Sequence, residues 1–186
     1  MAQHDTAHEE QRLAELVAKG DQAAFRVLFE RHSQRIYRFC LLMIGDRAGA
    51  EDIYQEAFVA MWQACREGKT LYSVQGYLIA VARTRCLNYL RIANRDAHLE
   101  DVEEPYYEPD VGSTDRDEHV HRALLRLPDQ YREAIVLCEF EGYSYEEIAE
   151  ALDCSLHVVK NRIHRGKKML RDLLGPILRD DNDALI

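Results

Sequence analysis

The chain has 186 residues and a formal net charge of −9, and 47% of its residues are hydrophobic. This length and composition allow one medium domain or two small ones, and they argue against wholesale disorder. Because there is no signal peptide and no long apolar run, and because the five cysteines are scattered, we expect a protein of the reducing cytoplasm without membrane insertion.

The negative charge is concentrated in the middle of the sequence. Residues 1–95 include 13 basic and 11 acidic residues, residues 96–121 include 1 and 10, and residues 122–186 include 10 and 12. The overall charge therefore does not exclude a nucleic-acid binder whose basic residues lie on particular helices.

The first half of the chain has the periodicity of helices. Residues 1–11 are polar and are predicted to be a frayed lead-in. From Asp21, a predicted N-cap, apolar residues recur at helical spacing until Gly45 ends the helix. Two more helices are predicted over about 50–66 and about 73–94. Since no strand alternation appears anywhere, the sequence predicts an all-α fold built from helical bundles.

The second of these helices carries a polar patch beside large aromatic residues. Asp52, Gln55 and Glu56 form the patch, and Phe58 and Trp62 stand four residues apart beside it. Acidic residues near a helix N-terminus have a plainer explanation, because they complement the helix dipole. That explanation does not cover a Gln-Glu pair flanked by two aromatic residues, a pattern that predicts a protein-binding face.

The third helix carries a basic stripe. Tyr77, Thr84, Asn88, Arg91 and Arg95 follow one another at intervals of seven, four, three and four residues, which places them on one face. From Gln75 to Arg95 the sequence contains four arginines and no acidic residue. Such a stripe can neutralise phosphates and contact unstacked bases, although a solvated basic face explains the arginines equally well.

Residues 96–117 break the helical pattern. They are acidic, include Pro105 and Pro109, and show little periodicity, which predicts an extended or disordered linker. Fully stretched, this linker would reach about 70 Å, or about two turns of duplex DNA. It could therefore place two DNA-binding modules on sites two turns apart.

The segment after the linker has the pattern of a helix-turn-helix motif. A short amphipathic helix follows Ser144, a turn follows at 153–155, and a second helix begins with Ser155 as its predicted N-cap. From Ser155 to Arg171 there is no acidic residue, whereas residues 129–150 include seven acids and one base. This segregation favours a phosphate-binding surface over an αα-hairpin whose basic face is simply solvated.

These observations divide the chain into five segments. They are an N-terminal lead-in over 1–20, a first bundle over 21–95, an acidic linker over 96–117, a second bundle with the helix-turn-helix over 118–175, and a tail over 176–186.

No constellation of residues typical of catalysis or metal binding stands out. The nearest approach to a metal site is Cys154 with His157 and His164, which lacks the clustered spacing that zinc requires. Neither an HExxH motif nor a glycine-rich phosphate loop is present. We therefore expect no cofactor, no metal and no enzymatic activity, and most cysteines should be buried or idle, with a redox role of Cys154 as the open alternative.

In this order, the segments resemble a bacterial sigma factor of the extracytoplasmic-function (ECF) group, over about residues 21–174. The resemblance to the family's polymerase-clamp-binding helix is carried by AEDIYQEAF. The resemblance to the segment that captures and melts the minus-ten promoter element is carried by GYLIAVARTRCLNYLR. The resemblance to the domain that reads the minus-thirty-five element is carried by LPDQYREAIVLCEFEGYSYEEIAEALDCSLHVVKNRIHRGKKML.

The resemblance implies recruitment of a polymerase to promoters, with no catalysis by the chain itself. Core polymerase binding is implied for Asp52, Gln55, Glu56 and Phe58. Minus-ten DNA binding is implied for Tyr77, Thr84, Asn88, Arg91 and Arg95. Minus-thirty-five DNA binding is implied for Lys160, Asn161, Arg162, His164, Arg165 and Lys168. The implied partners are core RNA polymerase through its beta-prime clamp, promoter DNA and an anti-sigma factor.

The chain departs from the family pattern at several of these positions. The family usually has Trp where this chain has Tyr77, Asn where it has Thr84, Asp where it has Asn88, and a common glycine where it has Asp153. A run like Gly-Thr-Val-Lys-Ser-Arg appears here as residues 157–162, HVVKNR. We expect Asp153 to tolerate the left-handed conformation of the turn, and we expect an unusual promoter preference.

The competing hypothesis is a stand-alone helix-turn-helix regulator that binds duplex DNA as a dimer on a palindrome. It predicts DNA binding by the protein alone. A sigma factor is instead expected to bind DNA weakly by itself and to associate tightly with core polymerase.

Overall fold

The computed structural model describes residues 2–97 and 115–183, and all regular secondary structure in those ranges is helical, which confirms the all-α prediction. The elements are α1 Ala2–Ala18, α2 Gln22–Ile44, α3 Arg47–Arg66, α4 Val74–Ala97, α5 Asp115–Leu125, α6 Asp129–Ile135, a π-helical turn Val136–Phe140, α7 Tyr145–Ala151 and α8 Leu156–Asp183.

The helices form two compact units. One comprises Met1–Cys40 and Ala48–Arg91, and the other comprises Leu41–Arg47 and Ile92–Ile186. Most of the predicted acidic linker, residues 98–114, lies outside the described residues. The domain limits drawn from the sequence therefore stay predictions.

The N-terminal segment differs from the expected frayed lead-in, because α1 is a helix docked on α2. Glu9 Oε2 lies 3.0 Å from Arg31 Nη2, and Glu10 Oε1 lies 3.0 Å from His32 Nε2. Val17 of α1 is almost completely buried. The helix was not expected from the polar composition of the segment, because ion pairs and a narrow apolar stripe hold it against α2.

Local signals mark several helix ends of the first unit, although α3 begins at Arg47, before the predicted start at about residue 50. Asp21 Oδ1 accepts hydrogen bonds from the backbone N–H groups of Ala23 at 2.8 Å and Ala24 at 3.1 Å, which confirms the N-cap. Gly45 and Gly68 follow α2 and α3 with φ of +77° and +76°. Glycine adopts this left-handed conformation without the steric cost that a β-carbon adds.

The core of the first unit determines which faces of α3 and α4 remain outside. Its fully buried side chains come from three helices: Leu28, Ile36 and Phe39 of α2, Ala57 and Met61 of α3, and Leu78, Ala82 and Cys86 of α4. Burial of a large apolar side chain contributes about 1.5–3 kcal/mol. The apolar stripes therefore turn the polar patch of α3 and the basic stripe of α4 outward.

Both helices of the helix-turn-helix in the second unit begin at a serine cap, of which only the one at Ser155 was predicted. Ser144 Oγ accepts from the Glu147 N–H at 3.2 Å, and Glu147 Oε2 accepts from the Ser144 N–H at 2.7 Å, which completes a capping box. Asp153 takes φ +46° in the turn, as predicted. Ser155 Oγ accepts from the Val158 N–H at 3.4 Å at the start of α8. The two serine caps and the left-handed backbone of Asp153 together fix the direction in which α8 leaves the turn.

Helix α8 lies very close to α6. A β-carbon at Gly166 would lie 2.7 Å from Cγ1 of Ile135 and 3.5 Å from the carbonyl oxygen of Tyr131. Glycine therefore permits the approach. Helix α8 also continues to Asp183, into the segment that we expected to form a separate tail.

Candidate nucleic-acid and protein interfaces

Three of the four residues predicted to bind a protein partner share an exposed side of α3. Asp52, Gln55 and Glu56 are all exposed. The carboxylate of Glu56 forms a salt bridge with the guanidinium of Arg85 on α4. Together with Val59 these residues border a depression of about 560 Å³. The acidic patch of α3 is thus adjacent to a basic group of the DNA-binding candidate helix α4.

Phe58, which we expected on the same surface, is buried. Only 2% of it is exposed, and its ring centroid lies 4.8 Å from that of Phe29 and 6.3 Å from that of Tyr54. A buried ring supports the helix from below and is not available to a partner. The structure therefore gives Phe58 a packing role in place of the expected contact role.

Other apolar side chains occupy the surface beside the α3 patch. Trp62 and Val59 of α3 are 44% and 53% exposed, and Val27 of α2 is 40% exposed. They line a groove of about 1040 Å³ together with the half-buried rings of Phe25 and Phe29. The sequence pointed to Trp62 but not to Val27 and Val59, because it does not show how α2 and α3 face each other. Contiguous exposed apolar side chains are typical of interaction sites.

The basic stripe of α4 lies mostly at the surface. Thr84, Asn88 and Arg91 are exposed, and Tyr77 is half-buried. Arg95 belongs to the last turn of α4, where only the backbone is described. The predicted alignment of these positions along one helix face therefore agrees with the exposure of the three side chains near its centre.

Two hydroxyl groups on this stripe donate to backbone carbonyls. The Tyr77 hydroxyl donates to the Ala60 oxygen of α3 at 3.3 Å, and the Thr84 hydroxyl donates to the Ala80 oxygen at 2.9 Å. The first bond ties α4 to α3, and the second is the usual bond of a helical threonine to the preceding turn. In this arrangement both hydroxyl oxygens remain acceptors for a ligand.

The exposed face of α8 carries most of the residues predicted to bind the minus-thirty-five element. The exposed members are Lys160, Asn161, His164, Arg165 and Lys168. Val159 and Ile163 are buried on the other side of the helix. Arg162 is half-buried, and at about 100° per residue it lies beyond the edge of the exposed face. Its position suits a contact with backbone phosphate at the rim better than a contact with a base.

Another lysine of α8 is engaged within the unit. Lys167 Nζ lies 2.8 Å from Glu139 Oε1 in the π-helical turn. This hydrogen bond holds the pKa of Glu139 below its usual value and raises the pKa of Lys167. Lys167 is thereby directed away from the face formed by its neighbours, in agreement with its absence from the predicted site.

His157 and Asn161 form a side-chain pair one turn apart on α8. Asn161 Nδ2 lies 3.0 Å from His157 Nε2, and both residues are exposed. The resemblance implied minus-thirty-five DNA binding for Asn161, but it assigned no contact to His157.

In the part of the chain that the structure describes, no group of three or more His, Cys, Asp and Glu residues is placed to hold a metal ion, and no helix has the length and apolarity needed to cross a membrane. Burial, with a contribution from Glu139, raises the pKa of the Cys138 thiol to about 11. A thiol with so high a pKa is a poor nucleophile at neutral pH.

Two family models match the chain in the order of its units. The model of sigma-70 region 2 matches residues 28–96, and the model of sigma-70 region 4 matches residues 118–170. The first match spans α3 and most of α2 and α4, and the second spans most of α5, the helix-turn-helix and the basic part of α8.

Individual proteins are similar along nearly the whole chain. The RNA polymerase sigma-H factor of Pseudomonas aeruginosa is 31% identical over 94% of this chain and 98% of its own length. The ECF RNA polymerase sigma factor SigW of Bacillus subtilis is 30% identical over 85% of this chain and 92% of its own. Among solved structures, CnrH in complex with the cytosolic domain of CnrY superposes with a TM-score of 0.69 at 25% identity, covering 90% of this chain and 98% of CnrH.

Proposed function

This chain belongs to the ECF group of the sigma-70 family of RNA polymerase sigma factors, and we propose that α3 binds core polymerase while α4 and α8 bind the two promoter elements. As an alternative sigma factor, the chain directs promoter-specific transcription initiation. A stand-alone DNA-binding regulator is not favoured, because it would not account for the region 2 match.

The observation that carries the promoter-binding role is the exposed face of α8. Its lysine, arginine, histidine and asparagine side chains stand on a helix that follows a capped turn, with no acidic residue from Ser155 to Arg171. The major groove of DNA admits a helix, and its base edges accept hydrogen bonds from such side chains. Arg165 and Lys168 would neutralise phosphates, and Asn161 and His164 would face bases.

The basic stripe on α4 has the composition expected for binding a DNA strand whose bases are unstacked. Arg91 is exposed, as expected for phosphate neutralisation, and the neighbouring Asn88 offers an amide to base edges. Tyr77 presents part of its ring and the acceptor side of its hydroxyl. We assign these residues, with Thr84 and Arg95, to the minus-ten element and the non-template strand as the duplex opens.

The α3 surface has the composition of a protein interface. Val59 and Trp62 would form its apolar centre, and Asp52, Gln55 and Glu56 its polar rim. We propose that this surface binds the beta-prime clamp of core RNA polymerase. Glu56 would then exchange or share its salt bridge with Arg85 when the polymerase binds.

A second protein partner is proposed by analogy. CnrH was solved with the cytosolic domain of CnrY bound to it. We propose that this chain also binds a second protein, an anti-sigma factor that holds it inactive until a signal releases it, and that the chain acts in the cytoplasm. In this proposal the chain catalyses no reaction, and its effect comes from recruitment.

Transcription in vitro with purified core RNA polymerase tests the proposal. The chain should produce transcripts from a subset of a promoter library, and the double variant Asp52→Ala and Glu56→Ala should lose them. The double variant Glu15→Ala and Glu30→Ala removes the same charge from exposed positions of α1 and α2, and it should keep full activity. If core polymerase gained no specificity while the protein alone protected a palindrome, the regulator hypothesis would replace this one.

A further inference from the structure

The pair of His157 and Asn161 constrains how Asn161 can read DNA. The Asn161 Nδ2 group lies 3.0 Å from His157 Nε2. An amide nitrogen only donates, so in this bond Nε2 of His157 is the acceptor.

This bond determines which hydrogen-bond donors and acceptors of the Asn161 amide remain available to DNA. One of its two N–H donors is used by His157, and the other donor and the carbonyl oxygen stay available. Without His157, the amide would be able to rotate about its last torsion and to present both N–H groups together.

The remaining pattern matches one purine and not the other. In the major groove adenine presents an N6 donor beside an N7 acceptor, whereas guanine presents two acceptors, N7 and O6. One donor and one acceptor bind adenine with two hydrogen bonds. Guanine would require both donors of the amide, one of which His157 already holds.

We propose that His157 is a positioning residue that fixes the amide of Asn161 and so makes α8 prefer adenine to guanine at one base pair of the upstream promoter element. The inference rests on the proposed binding of α8 to that element. It adds a determinant of specificity that lies one helical turn from the reader residue and needs no contact with DNA of its own.

The surroundings of the pair support a role in recognition. Both side chains are exposed, while the core contacts of α8 are made by Val159 and Ile163 on another side. The packing of the helix-turn-helix therefore does not require the pair. The family run that this segment resembles has glycine and serine at the two positions, and those residues cannot form the bond.

The test selects promoter fragments with the complete holoenzyme. Core polymerase and the full chain are mixed with fragments randomised over the upstream element, and the bound fragments are sequenced. The variants are His157→Phe, which keeps a ring without an acceptor, His157→Gln, which restores an acceptor at the same spacing, and Asn161→Ala, which removes the reader.

The native chain should prefer adenine to guanine by about tenfold at one position, which lies within the range that a bidentate contact gives. Asn161→Ala should abolish this preference, His157→Phe should reduce it to about threefold or less at that position alone, and His157→Gln should restore it. An unchanged profile for His157→Phe, changes at every position, or no adenine preference in the native chain would overturn the inference. If the native holoenzyme selected no fragments, the proposed function would fail first, and the inference with it.

Discussion

At the residue scale, neighbouring aromatic side chains on one helix have different physical roles. Phe58 and Trp62 are four residues apart on α3, yet Phe58 is 2% exposed and Trp62 is 44% exposed. The difference arises because Phe58 meets Phe29, while Trp62 borders the open groove. Substitution of each residue should therefore affect a different property.

We predict that Trp62→Ala weakens binding to core polymerase at least tenfold while changing the free energy of unfolding little. Phe58→Ala should instead lower the free energy of unfolding by about 3–5 kcal/mol, because it leaves a cavity in the aromatic cluster. Titration of a dye-labelled chain with core polymerase and unfolding in urea followed by circular dichroism measure the two properties. Native-like polymerase affinity of Trp62→Ala would remove the groove from the proposed interface.

At the element scale, the helix ends and turns that depend on particular residues nearby in sequence are those that could be predicted. The cap at Asp21, the glycine stop at Gly45 and the left-handed turn at Asp153 each require particular residues, and each is visible in the sequence. Helix α1 was missed because ion pairs to α2 hold it, and partners distant in sequence leave no local pattern. The exposure of Val59 was missed for the same reason.

The close approach of α8 to α6 gives a stability prediction. Gly166→Ala should lower the free energy of unfolding by up to about 2 kcal/mol, because overpacking costs about 1–3 kcal/mol and the gain in helix propensity offsets only about 1 kcal/mol of it. Gly175→Ala on the same helix is the control, since a β-carbon there meets nothing within 4 Å. It should be neutral or stabilising in urea unfolding followed by circular dichroism. Equal effects of the two substitutions would show that contact with Ile135 does not limit this position.

The docking of α1 should depend on pH through Glu10. Its hydrogen bond with His32, helped by the charges of His32 and Arg31, holds the pKa of Glu10 below its usual value. A carboxylate with a lowered pKa in the folded state stabilises that state above its ordinary pKa of about 4.3, and the contribution is lost as the pH falls through the folded value.

Glu10→Gln should therefore increase hydrogen exchange in α1 at pH 7, and the difference from the native protein should shrink as the pH falls below the ordinary carboxyl pKa. Glu9→Gln is the matched control, because Glu9 also pairs with an α2 residue but its side chain is 57% exposed, and exposed pairs contribute little. A difference between native and Glu10→Gln proteins that did not change with pH would mean that the ionised Glu10 carboxylate is not its origin.

At the scale of the whole molecule, the net charge of −9 and the basic face of α8 have opposite effects on DNA binding. The acidic residues are concentrated within 96–121, away in sequence from the basic residues of α8. The net charge should weaken long-range attraction between the free protein and DNA, whereas the local face still makes its phosphate contacts once the polymerase holds the chain in place.

The salt dependence of holoenzyme binding to promoter fragments should give the number of those phosphate contacts. Each phosphate contact adds about 0.9 to the slope of log affinity against log salt concentration, so Arg165→Gln and Lys168→Gln should each reduce the slope by about one. Lys167→Gln removes the same charge from the same helix, but Lys167 is bound to Glu139, so the slope should stay unchanged. Titrations at several salt concentrations separate these outcomes. An equal loss for all three variants would mean that α8 attracts DNA only through its total charge, and the assignment of individual phosphate contacts to Arg165 and Lys168 would be wrong.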